Sequence, residues 1–290
     1  MLPIVEGMIT ALFFAAATLS SARASRLAGA ASAAGGVLIF EALIVAPIAV
    51  IGSPLPAGPA LPVEAFAFAS IGGVANVVGL LLIYAAFRIG AVGIISTVAS
   101  TEGAIAAAIS VLAGQTLVPG SGPALAVVAI GVVLAAMSGG QEIEEGVAIS
   151  RGQSLRAAGL AALAAFMFGL TFFTTGHASA ILPPAWTLLP GRLFGVVAVG
   201  LPLLVTGRLH IPRTALPFVV LTGFGEIAGY SAFSIGARED IAPTAVLGSM
   251  FAPIAAIAAF VLFRERLAPR QIVGIALVVA GIAILGAITA

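Results

Sequence analysis

The chain of 290 residues is 61% hydrophobic and only 8% charged, with a formal net charge of +1. Because soluble domains carry roughly 25% charged residues, this composition excludes an ordinary water-soluble domain. The sequence has no basic cluster that would indicate a nucleic-acid partner. It contains no cysteine, which excludes disulfides and thiolate metal sites, and its two histidines, His177 and His210, are too far apart in sequence to indicate a metal site.

Long apolar runs divide the sequence into predicted membrane spans. The runs are about 20 residues long, which predicts transmembrane helices rather than the shorter alternating strands of a barrel. The first run lacks the basic start of a signal peptide, so we expect it to be retained as a span. We predict ten spans, at residues 3–22, 31–52, 63–87, 91–113, 123–140, 156–176, 185–206, 214–237, 241–263 and 270–288.

The arginines predict the orientation of these spans, since the sequence has no lysine. One arginine, Arg238, falls on the side opposite to the rest, and Arg192 lies within a span. By the positive-inside rule, the loops after odd-numbered spans are predicted to be cytoplasmic and both termini periplasmic, in a bacterial-type inner membrane. Those loops hold Arg23, Arg26, Arg88, Arg151, Arg156, Arg208, Arg213, Arg264, Arg266 and Arg270.

The sequence also contains a repeat with an offset of 150 residues. A polar connector at residues 141–155 separates residues 1–140 from 156–290, with five predicted spans in each part. Aligning residues 88–135 with 238–285 gives ten identities in 48 positions, against about five expected by chance in so biased a composition. Because five is an odd number, equivalent helices must cross the membrane in opposite directions. We therefore predict an all-α integral membrane protein with ten transmembrane helices in two inverted five-helix repeats.

Polar side chains form a stripe along the eighth predicted span. Side chains four residues apart share one helical face, and a polar stripe on an apolar helix must face a water-filled cavity or another helix. The positions 150 residues earlier in the sequence form a corresponding stripe on the third span. We therefore predict that the two helices are facing walls of a central pathway. The two stripes are Thr222, Glu226, Tyr230, Ser234 and Arg238, and Gly72, Asn76, Leu80, Tyr84 and Arg88.

Candidate substrate-binding residues follow from these stripes and from the fourth span. An ionised carboxylate at midspan needs a partner or water, so Glu226 is a candidate for a substrate ammonium or a proton, with cross-helix packing as the alternative. Asn76 offers donors and an acceptor without charge, which suits a zwitterion. Tyr84 could instead be an interfacial residue, and Ser100 a helix-packing residue. The candidate set is Asn76, Tyr84, Ser100, Glu226, Tyr230 and Ser234.

Three charged residues are candidates for proton or charge coupling: Glu102, Glu226 and Arg192. Glu102 is an acid at midspan, which either titrates or pairs with another side chain. Glu41 and Arg192 occupy near-equivalent places in the second and seventh spans, 151 residues apart. They could form a structural ion pair, extend separately toward the interfaces, or leave Arg192 to bind a substrate carboxylate.

Turns between spans contain the candidate gate hinges. Gly90 and Gly93 lie in the turn between the third and fourth spans, and Pro243 follows the eighth. In an inverted repeat these two turns lie on opposite sides of the membrane, which is where gates are expected.

Motifs in the second half resemble those of a known family. The turn Gly236–Pro243, Pro253 in the ninth span, the segment Phe263-Arg264-Glu265-Arg266-Leu267 and the glycines of the last span are similar to the EamA-type ten-helix exporters of the drug/metabolite transporter superfamily, in particular its amino-acid exporters. The first half departs from that pattern at Gln115 and at Glu102-Gly103. The resemblance implies alternating access through a central cavity lined by the first, third, fourth, sixth, eighth and ninth helices.

We therefore expect a secondary transporter that exports small zwitterionic metabolites, with amino acids as the favoured class. The alternatives are efflux of lipophilic cations or other drugs and, less favoured, an integral membrane enzyme acting on lipid-linked substrates. The sequence contains no nucleotide-binding or nucleophile motif. We expect no cofactor and no metal, a monomer, and membrane lipid and a small solute as the partners.

Overall fold

The computed structural model describes residues 1–55, 62–90, 92–116, 118–136, 151–254 and 269–289. These residues are largely helical and include no strand. Most of the predicted connector and the later part of the ninth predicted span lie outside the described residues. The helices are α1 Leu2–Ala28, α2 Ala30–Pro47, α3 Val63–Ile89, α4 Val92–Ala99, α5 Glu102–Leu112, α6 Ser121–Ala136, α7 Arg151–Ser179, α8 Pro184–Gly195, α9 Leu201–Val205, α10 Leu216–Gly236, α11 Ile241–Gly248 and α12 Pro269–Thr289.

Six helical segments of the described chain are long and apolar enough to cross a membrane: Leu2–Ala28, Ala30–Gly52, Val63–Ile89, Leu155–Ser179, Pro184–Val205 and Leu216–Gly236. Four shorter apolar helices, Glu102–Leu112, Ser121–Gly131, Ile241–Ile254 and Ile272–Gly281, fall within the remaining predicted spans. The prediction of a helical, multi-pass membrane protein is confirmed. The count of ten spans and the inverted repeat remain predictions.

The fourth span of each half is broken, whereas the sequence analysis treated both as continuous. In the first half, a turn at Ser100–Thr101 separates α4 from α5, and in the second half α11 ends before a turn at Ser249–Met250. The two turns lie one residue apart in the 150-residue register. In the second half, Pro253 lacks the N–H that would bond to the carbonyl of Ser249 in a continuous helix.

The two predicted halves pack against each other in a reciprocal pattern. The most extensive contacts join α3 to α7, α1 to α10, and α6 to α12. Exchanging the halves replaces α1 by α7, α3 by α10, and α6 by α12. The contact of α3 with α7 then becomes the contact of α10 with α1, and the contact of α6 with α12 is unchanged. This is the pattern of contacts expected across a two-fold axis.

The contacts between α6 and α12 come in pairs that correspond to one another in the 150-residue register. A methyl group added at Gly131 would meet the carbonyl oxygen of Gly274 and the backbone of Val278. One added at Gly281, which is 150 residues after Gly131, would meet the carbonyl oxygen of Ala124 and the backbone of Val128. Positions later on one helix therefore face positions earlier on the other, so α6 and α12 run antiparallel.

The closest backbone approach between these helices predicts a large effect of one methyl group. We expect Gly131→Ala to lower the free energy of unfolding by about 1–3 kcal/mol, because the neighbouring atoms are backbone and cannot turn aside. The matched control is Gly159→Ala in α7, where an added methyl group would meet nothing within 4 Å. The check is the thermal unfolding midpoint of both variants in detergent. Equal midpoints would contradict close packing of α6 on α12.

Candidate functional site

A cluster of charged and polar side chains lies at the centre of the helical bundle. It brings together Glu41 of α2, Asn76 of α3, Arg192 of α8 and Glu226 of α10. The Nε atom of Arg192 lies 2.9 Å from Oε2 of Glu41, and its Nη2 atom lies 3.6 Å from Oε2 of Glu226. The Nη1 atom of Arg192 donates a hydrogen bond of 2.5 Å to Oδ1 of Asn76. One guanidinium group is thus shared by three residues from three other helices.

Glycine residues allow the helices that carry this cluster to approach one another. Gly73 of α3 and Gly191 of α8 meet backbone to backbone, which places Arg192 beside Asn76. In the other half, a methyl group added at Gly223 of α10 would lie 2.5 Å from the ring of Phe40 in α2, next to Glu41. Larger side chains at these crossings would hold the four functional residues apart.

The charges of the cluster do not balance. Glu41 is fully buried, and Arg192 and Glu226 are 2% and 6% exposed. Two carboxyl groups therefore share one guanidinium in a setting of low dielectric constant, where an uncompensated charge is expensive. If both acids are ionised, the cluster has one negative charge too many. A proton, or a cationic group of a bound solute, is needed to neutralise it.

Asn76 and Glu226 differ by 150 positions, and Glu41 and Arg192 differ by 151. The first pair is therefore equivalent in the predicted repeat, and the second pair is one position from equivalence. In the fold the four residues meet through the contacts of Arg192.

A cavity, here called the inner cavity, extends from the cluster toward the arginine-rich ends of α1 and α3. It provides about 60 Å³ in which the centre of a water-sized sphere can move, which is room for roughly four to six waters. Residues from all six spans named by the resemblance line it. They are Phe14, Ala17, Thr18 and Ser21; Asn76, Leu80, Ile83, Tyr84 and Phe87; Ala99 and Glu102; Phe168; Glu226 and Tyr230; and Phe251.

A smaller cavity, here called the outer cavity, lies on the other side of Asn76. It provides about 20 Å³ to the centre of a water-sized sphere, which is room for one or two waters. Three threonine hydroxyls and the guanidinium group of Arg192 are among its walls. Its lining residues are Gly72, Gly73, Asn76, Thr171, Thr175, Thr187, Leu188, Gly191, Arg192 and Tyr230.

One hydrogen bond separates the two cavities. Nδ2 of Asn76 donates to the phenol oxygen of Tyr230 over 2.8 Å, and these are the two residues that line both cavities. Glu226 lines the inner cavity and Arg192 the outer one. The Asn76–Tyr230 bond, hereafter the partition, therefore lies between a compartment with an acid and a compartment with a base.

Aromatic rings fill the space beyond the partition on the side away from the arginine-rich ends. Phe172 of α7 and Phe233 of α10 stack with ring centres 4.4 Å apart. Phe172 lies 6.0 Å from the ring of Phe14 and 5.9 Å from that of Tyr230. Phe172 and Phe233 are fully buried. These rings pack α7 against α10 beside the outer cavity.

The predicted site residues take different places around the cluster. Asn76, Tyr84, Glu102, Glu226 and Tyr230 line the inner cavity, and Arg192 lines the outer one. The two serines of the candidate set do not line either cavity. Ser100 is buried at the break after α4, and the hydroxyl of Ser234 lies 3.2 Å from that of Thr187.

The predicted hinge residues lie at helix ends. Gly90 directly follows α3, and a methyl group added to it would lie 2.5 Å from the side chain of Ala157 in α7. Pro243 is in the first turn of α11, whose N-cap Asp240 accepts a hydrogen bond from the N–H of Ala242 over 3.2 Å. Gly93 lies in α4, where only its backbone is described.

The sequence analysis missed the apolar and hydroxyl walls of the two cavities. Phe168 of α7 fills the space beside Gly79 of α3, and Phe14 of α1 fills the space beside Gly229 of α10. The 150-residue spacing of Gly79 and Gly229 was the available signal. The three threonines of the outer cavity gave no signal, because threonine on a membrane helix usually bonds to its own backbone.

Comparison with known proteins gives a family and a fold. Residues 155–287 match the EamA-like transporter family. The chain also resembles a protein of known crystal structure, with a TM-score of 0.69 and 15% sequence identity over 98% of this chain and 96% of that one. At this identity the likeness shows a shared fold and nothing of the solute. No curated protein matches the sequence.

The position of the inner cavity predicts which of two neighbouring serines can be labelled. Ser21 lines the cavity, whereas Ser25, one turn later on α1, is fully buried and outside it. In this cysteine-free chain we expect Ser21→Cys to react with a small hydrophilic thiol reagent on the order of tenfold faster than Ser25→Cys, since thiol reactivity follows exposure. Mass spectrometry of the labelled protein measures both rates. Equal labelling would contradict a water-filled inner cavity.

Proposed function

We propose that the chain is a secondary transporter, because residues 155–287 match the EamA-like transporter family, which is consistent with the drug/metabolite transporter superfamily. It exports small zwitterionic metabolites, with amino acids as the substrate class, by alternating access through the central cavity. The match to a transporter family favours this function over that of a membrane enzyme. The protein acts in a bacterial-type inner membrane with both termini on the periplasmic side.

The observation that carries the proposal is the pair of opposite charges on the two sides of the partition. Glu226 in the inner cavity suits an ammonium group, and Arg192 in the outer cavity suits a carboxylate. The rest of the inner cavity is mainly aromatic and aliphatic, which suits an apolar side chain. Its small volume favours a solute the size of an aliphatic amino acid over a large drug.

The contacts between the halves support an inverted repeat. Equivalent helices of the two halves are antiparallel where α6 packs on α12, as the register of Gly131 and Gly281 shows. A two-fold axis along the membrane normal would instead make equivalent helices parallel. With an axis in the membrane plane, the two halves can exchange conformations and open the site to each side in turn.

The sidedness of the two cavities supports loading of the solute from the cytoplasm. The inner cavity runs along α3 to Phe87, next to Arg88, on the side that the arginines predict to be cytoplasmic. The stacked aromatic rings lie on the opposite side. The single arginine on that side, Arg238, donates hydrogen bonds to the carbonyl oxygens of Ser179 and Leu182. It therefore has a structural role after α7, and the topology prediction does not depend on it.

The excess negative charge of the cluster couples movement of the solute to movement of a proton. A solute ammonium and a proton compete for the carboxyl group of Glu226, so that loading of the solute from the cytoplasm releases a proton. Return to the empty state takes up a proton from the other side, and export is therefore driven by the proton gradient. Glu102 lines the same cavity and is the next acid that the proton can reach.

Efflux of lipophilic cations is the second candidate function. The observation that favours it is the combination of Glu226 with the rings of Phe14, Phe87, Phe168 and Phe251 in the inner cavity, since aromatic faces attract cations. This function has no use for the guanidinium group of Arg192 in the outer cavity. A lipophilic cation would also have to pass this group on its way out.

Replacing the acid of the inner cavity tests the proposed function. We expect Glu226→Gln in proteoliposomes to transport leucine at least tenfold more slowly than the parent protein, because the amide keeps the shape of the side chain but cannot bind an ammonium or a proton. Glu64→Gln is the control, because Glu64 is exposed at the start of α3. It is expected to transport at the parental rate.

Two results would contradict the proposal. Parental transport by a correctly folded Glu226→Gln variant would remove Glu226 from the mechanism. Transport of quaternary ammonium dyes but not of leucine by the parent protein would favour the second candidate. Leucine flux that ignores an imposed pH gradient would leave the solute assignment standing and remove the proton coupling.

A further inference from the structure

We propose that the outer cavity is a carboxylate subsite, and that a solute must carry both an ammonium and a carboxylate group to open the partition. This inference rests on the proposed function and extends it. It states that zwitterions are selected at the outer cavity, which the solute reaches only after it has bound in the inner cavity.

The guanidinium group of Arg192 has donors that the fold leaves unused. Its Nη2 atom forms no hydrogen bond within the described part of the chain, although it is completely buried. The distance of 3.6 Å to Glu226 is long for an ion pair with hydrogen bonding. A buried N–H group without an acceptor is costly, so the site gains when an anionic oxygen reaches it.

A second donor of the outer cavity belongs to the partition itself. In the Asn76–Tyr230 bond the phenol oxygen is the acceptor, so the phenol proton remains for another acceptor. The Arg192 guanidinium also lies over the ring of Tyr230, with Cζ 5.6 Å from the ring centre. A carboxylate that bridges Nη2 of Arg192 and the hydroxyl of Tyr230 therefore contacts the two groups that are already held together.

The size of the outer cavity matches a single small anionic group. Room for one or two waters is room for a carboxylate and not for a whole amino acid. The solute then spans the two cavities, with its ammonium group at Glu226, its carboxylate at Arg192 and its side chain among the rings of the inner cavity. Asn76 and Tyr230 must separate to admit it.

The charge of the cluster makes the two binding events depend on each other. With both acids ionised the cluster is negative, so a solute that carries only a carboxylate is repelled. A solute that carries only an ammonium binds Glu226 and neutralises the excess charge, but it offers nothing to replace the Asn76–Tyr230 bond. A zwitterion adds no net charge, so its ammonium group pairs with Glu226 while its carboxylate supplies the acceptor that opens the partition.

A double substitution tests this assignment without unbalancing the cluster. Glu41→Gln combined with Arg192→Gln removes one acid and one base, so the net charge of the cluster is kept and the carboxyl group of Glu226, which loses its ion pair with Arg192, remains available to an ammonium group. The substrates are leucine, leucinamide and 3-methylbutylamine, which share the side chain and the ammonium group but differ at the carboxylate. Binding to detergent-purified protein and transport in proteoliposomes are measured for each.

For the parent protein we expect all three compounds to bind, but leucine to be transported at least about tenfold faster than the two amines, since sites built to bind a polar group discriminate strongly against analogues that lack it. In the double variant we expect binding of all three to persist and the transport preference for leucine to fall to within about twofold. Glu64→Gln, at an exposed position at the start of α3 outside both cavities, is the control, and it is expected to keep the parental preference.

The outcomes separate this inference from the proposed function. A folded double variant that keeps the tenfold preference for leucine overturns the carboxylate subsite and leaves amino-acid export intact. A parent protein that transports the amines as fast as leucine also overturns it. A parent protein that binds none of the three compounds contradicts the proposed function, and the inference fails with it. Monodisperse elution and a cooperative unfolding transition establish that the double variant is folded.

Discussion

The guanidinium group of Arg192, shared between two buried carboxyl groups, is the interaction on which the rest of the structure depends. Removing one partner of a buried ion pair costs about 3–5 kcal/mol, because the remaining charge loses its compensation. The helices that carry Glu41, Asn76 and Glu226 are thus tied to α8 at one point. Helices α3 and α8 cross at Gly73 and Gly191, which lie at the same level of the bundle as Arg192. Close packing and charge pairing therefore reinforce each other at the place where a solute has to pass.

Residues of the site that correspond across the predicted repeat differ in chemistry. Asn76 and Glu226 are equivalent residues, and so are Leu80 and Tyr230, yet each pair differs chemically. The inner cavity lies on one side of the partition, and the stacked rings of Phe172 and Phe233 pack α7 against α10 beside the partition. In our account this difference makes one conformation load the solute and the other release it.

Much of the fold could be predicted from sequence because membrane helices leave a strong signal. Apolar runs of spanning length predicted the helical elements, and the 150-residue offset placed Asn76 and Glu226 on two helices that line the same cavity. The breaks at Ser100–Thr101 and Ser249–Met250 were missed, since helix interruptions inside apolar runs depend on local hydrogen bonding and on Pro253 rather than on hydropathy. The 150-residue offset gives few sequence identities but recurs in the contacts of Gly131 and Gly281.

The arrangement of the site was less predictable than the list of its residues. Three alternatives were open for Arg192, and only the fold shows that Glu41 lies 2.9 Å from it. The phenylalanines of the inner cavity could not be told from lipid-facing ones, because both kinds of position are apolar. Which residues face which cavity depends on helix rotation, and a membrane helix that is apolar on all sides gives little information about rotation.

The most direct test of the account is the number of protons released when leucine binds. Titration calorimetry of the purified protein near pH 7, in two buffers that differ in ionisation enthalpy, measures this number without transport. If a solute ammonium and a proton compete for Glu226, about one proton is released per leucine, and none by a Glu226→Gln variant that still binds. Leucine binding whose heat is the same in both buffers would contradict the account.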